Sequence, residues 1–100
     1  AVPETIADCR QTTRVGERNF AILQALVEGV VTVSDLELRQ AMTFLFSRMK
    51  LVVEPGGAAA AAALFAGRVP GVAGRRVGVV LSGGNVDPAR FAELVAGLPA

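Results

Sequence analysis

The chain has 100 residues, 52% of them hydrophobic, and its ten basic and nine acidic side chains leave a formal net charge of +1. That length holds at most one small domain with a core of marginal size, and the composition is globular rather than disordered. The arginines are scattered, only Arg75 and Arg76 are adjacent, and there is no His, Trp or Tyr, which argues against nucleic-acid binding, His-dependent triads and most zinc sites.

Residues 1–15 lack clear periodicity and read as a loop or short helical turn. The single cysteine, Cys9, allows no internal disulfide, so a reducing cytoplasm is the expected setting. From Glu17 to Val27, Phe20, Leu23 and Val27 recur at helical spacing, with Gly29 as a stop. Val30-Val31-Thr32-Val33 reads as a short buried strand by its β-branched content. Ser34-Asp35-Leu36-Glu37 is a capping box, and Leu38, Met42, Leu45, Phe46 and Met49 continue a helix on one face, with Arg39, Gln40 and Arg48 opposite.

After Leu51-Val52-Val53 come Glu54-Pro55-Gly56-Gly57 and an alanine-rich helix to Ala66, ended by Gly67. Residues 69–74 form a linker marked by Pro70. The next segment is the most informative one. A strand over 76–81 stops at Ser82-Gly83-Gly84-Asn85, and a final helix runs from about Pro88 to Ala96, with Gly97 as its stop. Strand, tight turn and helix place polar groups where open α/β sheets bind ligands. No apolar run reaches the roughly 18 residues needed to span a bilayer, and no basic-then-apolar signal pattern opens the chain.

Three segments together carry a resemblance: Glu4-Thr5-Ile6-Ala7-Asp8; Lys50-Leu51-Val52-Val53-Glu54-Pro55 with Gly57-Ala58-Ala59; and Val80-Leu81-Ser82-Gly83-Gly84-Asn85-Val86-Asp87. Val31-Thr32-Val33-Ser34-Asp35 between them also matches. In this order and spacing the chain resembles the C-terminal part of the serine/threonine dehydratase family, which includes catabolic threonine dehydratase, serine racemase and hydroxyaspartate ammonia-lyase. The resemblance implies an α/β fold: the C-terminal portion of the fold-type II (tryptophan synthase β-like) large domain, an open mostly parallel sheet flanked by helices. Residues 1–100 are then a single partial domain.

The resemblance also implies a cofactor, pyridoxal 5'-phosphate, and a role for Ser82 as hydrogen-bond partner of its pyridine nitrogen. A hydroxyl is a neutral partner, so the ring stays a milder electron sink, which suits loss of a β-hydroxyl. The plainer reading of Ser82 is closure of a strand-to-helix turn. Gly83 and Gly84 could suggest a phosphate cradle, but the family's phosphate loop is a separate segment, so these glycines are expected to let the backbone pass close to the ring. Asn85 is expected to bond its own backbone and hold the turn. Glu54 has two compatible readings: a carboxylate at a helix N-terminus, and an acid near the cofactor ordering the site. Cys9 stands where many relatives have glycine against one face of the ring, and is expected to line the pocket rather than act as a nucleophile.

Lys50, the one lysine, lacks the context of the family's Schiff-base lysine, which is expected upstream after a serine-phenylalanine pair. Its position at the end of an amphipathic helix is a solvated one. No catalytic residue and no metal ligand is expected in this segment. The implied reaction is β-elimination of water from a hydroxy amino acid, giving a 2-oxo acid and ammonia. The expected partners are the N-terminal remainder of the enzyme, a small hydroxy amino acid and further copies in a homo-oligomer, with neither nucleic acid nor membrane. Two alternatives stay open: an amino-acid racemase of the same family, and a non-catalytic binding module derived from it.

Overall fold

A computed structural model describes residues 4–99. A 3-10 turn at Asp8–Arg10 is followed by α1 (Glu17–Leu26) and α2 (Asp35–Met49), then a 3-10 turn at Gly56–Ala58 leading into α3 (Ala59–Phe65), and finally α4 (Pro88–Val95).

α2 is the axis of the molecule, and its start is built as the sequence predicts. The Ser34 amide donates to Glu37 Oε1 at 2.8 Å and the Glu37 amide donates to Ser34 Oγ at 3.1 Å, so two otherwise orphaned donors are satisfied reciprocally. Its buried face is Leu38, Ala41, Met42, Thr43 and Leu45. Phe46 and Met49, expected on that face, are 44% and 54% exposed. Phe46 instead meets the Phe91 ring edge-on, with centroids 5.2 Å apart. Buried Thr43 is tolerated because its hydroxyl donates to the Arg39 carbonyl at 2.8 Å.

Ala58 from the 3-10 turn, Ala61 and Ala62 from α3, and Phe91 and Leu94 from α4 close on α2, with Ala7 and Val53 completing the core. Arg39, expected on the polar face, is half-buried, and its Nε donates to the Leu94 carbonyl at 2.7 Å, satisfying an orphan acceptor at the C-terminal end of α4. At the other end of α4, Asp87 is the N-cap and accepts from the Arg90 amide at 3.1 Å, with Pro88 in the first turn.

α2 ends at Lys50, whose φ of 60° places it in the left-handed region. This lets the Leu51 amide reach the Leu45 carbonyl at 3.1 Å, a helix-ending bond that glycine usually permits. Lys50 is exposed and its Nζ donates to the Ser47 carbonyl at 2.7 Å, neutralising the negative helix end.

The expected strands are not formed as hydrogen-bonded ladders: among the described residues there is no strand. Val30, in the segment expected to be a buried strand, is 88% exposed, and Val80 of the expected strand over 76–81 is 74% exposed. A strand exists only through its ladder of hydrogen bonds, and residues 30–33 and 76–81 make none here, although Val30, Val31, Val77 and Val79 line one cavity and Val33, Val79 and Leu81 pack against the core. α1 is also unpartnered, with Phe20, Ile22, Leu23 and Leu26 all exposed. It ends at Leu26 with Val27 as its C-cap, one residue short of the expected end at Val27.

The result is a flat body of 40 × 38 × 18 Å. Its surface is 7291 Å² for 10.3 kDa, where a compact monomer of that mass exposes roughly 5,400 Å². Among the described residues no helix is long and apolar enough to cross a membrane.

Candidate functional site

The three segments that carry the resemblance, scattered over some eighty positions of the sequence, meet in space. The first is tied down by Asp35 in the opening turn of α2, which accepts from Thr5 Oγ1 at 2.5 Å and from the Ile6 amide at 3.3 Å. This anchoring was not legible in the sequence, where Asp35 counts only as part of a capping box. The anchored loop delivers the Asp8–Arg10 turn onto the Gly56–Ala58 turn, with Cys9 exposed and its sulfur against Gly56.

The second and third segments are joined through backbone. The Glu54 amide donates to the Gly83 carbonyl at 3.1 Å. Contact is so close that a Cβ on Gly57 would overlap the Gly83 carbonyl oxygen, and one on Gly84 would overlap the Val52 carbonyl oxygen. A Cβ on Gly83 would come 2.5 Å from Glu54 Oε1. The close approach these glycines permit is therefore to the chain's own Val52–Gly57 segment, a role that spacing alone does not reveal.

Asn85 sits at the centre of a tight reversal in which the Val86 amide donates to the Gly84 carbonyl at 3.0 Å. Backbone closes this turn, where the sequence reading assigned that work to the Asn85 side chain. Asn85 instead helps line a cleft of about 310 Å³ with Thr5, Asp8, Glu54, Asp87 and Arg90. Glu54 is half-buried and does not stand at an N-cap position, which falls to Pro55 for the Gly56–Ala58 turn and to Ala58 for α3. Arg90 is paired with Glu93 at 3.3 Å. No three His, Cys, Asp or Glu side chains among the described residues converge to hold a metal.

Ser82 lies just before the Glu54–Gly83 bond, exposed and outside that cleft. Among the described residues no hydrogen bond occupies its hydroxyl, which is thus available to donate to an acceptor brought to the surface. A neutral donor on a backbone held from behind fits the ring nitrogen of a pyridoxal cofactor.

Comparison with known proteins agrees with this reading of the fold. The chain is 48% identical over 98 residues to L-threo-3-hydroxyaspartate ammonia-lyase of Saccharomyces cerevisiae, covering 95% of this chain and 29% of that protein. It is 42% identical over 94 residues to serine racemase of Schizosaccharomyces pombe, covering 94% and 29%. The crystal structure of the threonine deaminase of T.th. superposes with a TM-score of 0.77 at 44% identity, covering 87% of this chain and 29% of that one. The fold is thus that of a segment of a fold-type II enzyme, and the chain spans about 29% of the length of these relatives. Residues 1–83 match the pyridoxal-phosphate dependent enzyme family, and the chain belongs to that family.

Proposed function

We propose that this chain forms one wall of the cofactor pocket in a pyridoxal-phosphate-dependent ammonia-lyase of the threonine/serine dehydratase type. The whole enzyme eliminates water across the α and β carbons of a hydroxy amino acid, and hydrolysis of the resulting enamine releases a 2-oxo acid and ammonia. The observation that carries the reading is the free, exposed hydroxyl of Ser82, held in place by the backbone bond between Glu54 and Gly83.

When bound, pyridoxal phosphate supplies an electron sink for the substrate's α carbon. The Ser82 hydroxyl would donate a hydrogen bond to the ring nitrogen and, being neutral, would not drive that nitrogen to protonate. Gly83 keeps the turn fixed through its carbonyl, Glu54 orders the adjoining surface, and Cys9 and Asn85 border it. The lysine that anchors the cofactor, the phosphate loop and the groups that grip the substrate carboxylate belong to the remainder of the enzyme, which acts as a cytoplasmic homo-oligomer. Similarity to a serine racemase supports a second reading, racemisation on the same cofactor.

Replacing Ser82 by Ala in the complete enzyme is expected to lower cofactor-dependent turnover at least about tenfold, the equivalent of one buried hydrogen bond of about 1–2 kcal/mol. Steady-state kinetics and the visible spectrum of the bound cofactor provide the check. Unchanged values for both would remove the assignment.

A further inference from the structure

Cys9 and Gly56 meet in an unusual way. Gly56 is buried, and the volume that its Cβ would take is already filled by the Cys9 sulfur, with Cys9 Cβ 3.6 Å from the same point. Gly56 has an ordinary backbone φ, so it is not held as glycine by a left-handed conformation. Its lack of a side chain is instead matched to the presence of one at position 9. The two residues belong to the turns Asp8–Arg10 and Gly56–Ala58. Each turn leads directly into the cleft: Asp8 on one side, Glu54 and Pro55 on the other.

We propose that Cys9 and Gly56 are a reciprocal spacer pair, in which the sulfur occupies the side-chain volume vacated at position 56 and so sets the separation of the two turns that flank the cofactor-facing wall. Cys9 acts here through its volume and not through thiol chemistry. It is a positioning residue, because it works through the placement of Glu54 and, by the Glu54–Gly83 bond, of the Ser82 turn. The inference rests on the proposed pocket for its functional meaning, while the steric pairing stands on geometry alone.

Four variants of the complete protein test it: Gly56→Ala, Cys9→Gly, the double variant and Cys9→Ser. Melting temperature reads the steric pairing, and the affinity for added pyridoxal phosphate, followed by fluorescence, reads the placement of the wall. Gly56→Ala is expected to lower the melting temperature by at least about 3 °C and weaken cofactor affinity about tenfold, because the added methyl takes the place of the Cys9 sulfur, so that the exposed thiol must leave its seat on the turn or the two turns must part. Cys9→Gly also weakens affinity, by removing the contact that sets the spacing of the two turns. The double variant recovers to within about twofold of the parent in affinity, and Cys9→Ser, nearly equal in volume, stays there too.

If Gly56→Ala does not fold and the double variant does, the pairing is supported. If the double variant shows the sum of the single losses, or also fails to fold, the pairing is refuted. A Cys9→Ser variant as impaired as Cys9→Gly would overturn the claim that volume is what matters. Rescue in melting temperature with cofactor affinity unchanged throughout the set would overturn the positioning role. A parent protein that binds no pyridoxal phosphate would instead refute the proposed pocket, and the melting data would still decide the pairing.

Discussion

At the scale of single residues, Glu37 does more than its place in a capping box requires. It accepts from the Ser34 amide and also receives Arg68, with Nη2 at 2.9 Å and Nε at 3.0 Å, so one carboxylate fastens the start of α2 to the segment leaving α3. The Ser34 amide first, and Arg68 second, hold its carboxyl below the ordinary carboxylate range. A carboxyl whose folded pKa is depressed contributes stability that is fully present above its unfolded pKa and is lost as pH falls through the folded value. The stability gap between the parent and Glu37→Gln, read from denaturant midpoints of the complete protein, should therefore be widest near neutrality and close on acidification. A gap independent of pH would contradict the bond network. The capping box was legible because it is written within four consecutive residues. Arg68 was not, since 31 positions separate it from Glu37.

Elements divide along the same line. α2 and α4 could be read from local signals: a capping box at Ser34, a proline in the first turn at Pro88, glycine beyond Ala96. The N-cap, Asp87, was not read from the sequence; the structure supplies it. Replacing Asp87 by Ala should cost about 1 kcal/mol of stability, and Leu94→Ala about 2–5 kcal/mol, because the first loses one cap and the second empties part of the core under Arg39. Denaturant titration of both variants checks the order; equal losses would mean that α4 is held by its ends alone. Residues 30–33 and 76–81 behave differently, for a strand's hydrogen bonds are made by chain that need not be nearby in sequence. β-branched content marks a segment that can pair and says nothing about whether its partner is present. The same reasoning applies to the site. The Ser-Gly-Gly-Asn turn was legible as a motif, but the packing of its glycines on Val52–Gly57 depends on a contact some thirty residues away.

For the molecule as a whole, surface area is the informative quantity. The excess over a compact monomer is roughly 1,900 Å², more than twice the roughly 800 Å² each partner contributes to an ordinary protein interface. Phe20, Leu26, Val30 and Val80 are prominent in it. Residues 1–100 produced alone are therefore expected to bind a hydrophobic dye strongly and to self-associate, as judged by light scattering. A monodisperse, cooperatively melting chain with little dye binding would contradict this and favour a free-standing module.

The flatness of the body has a consequence for chemistry. A thickness of 18 Å accommodates about two helix diameters, so bulk water reaches close to both broad faces. Charge separation at a reacting carbon gains most from protein dipoles where the local dielectric is low. In this slab the Ser82 hydroxyl faces a medium that screens it. The strength of the bond proposed between it and a ring nitrogen would be set less by the turn that carries it than by how completely the opposite wall shuts out solvent.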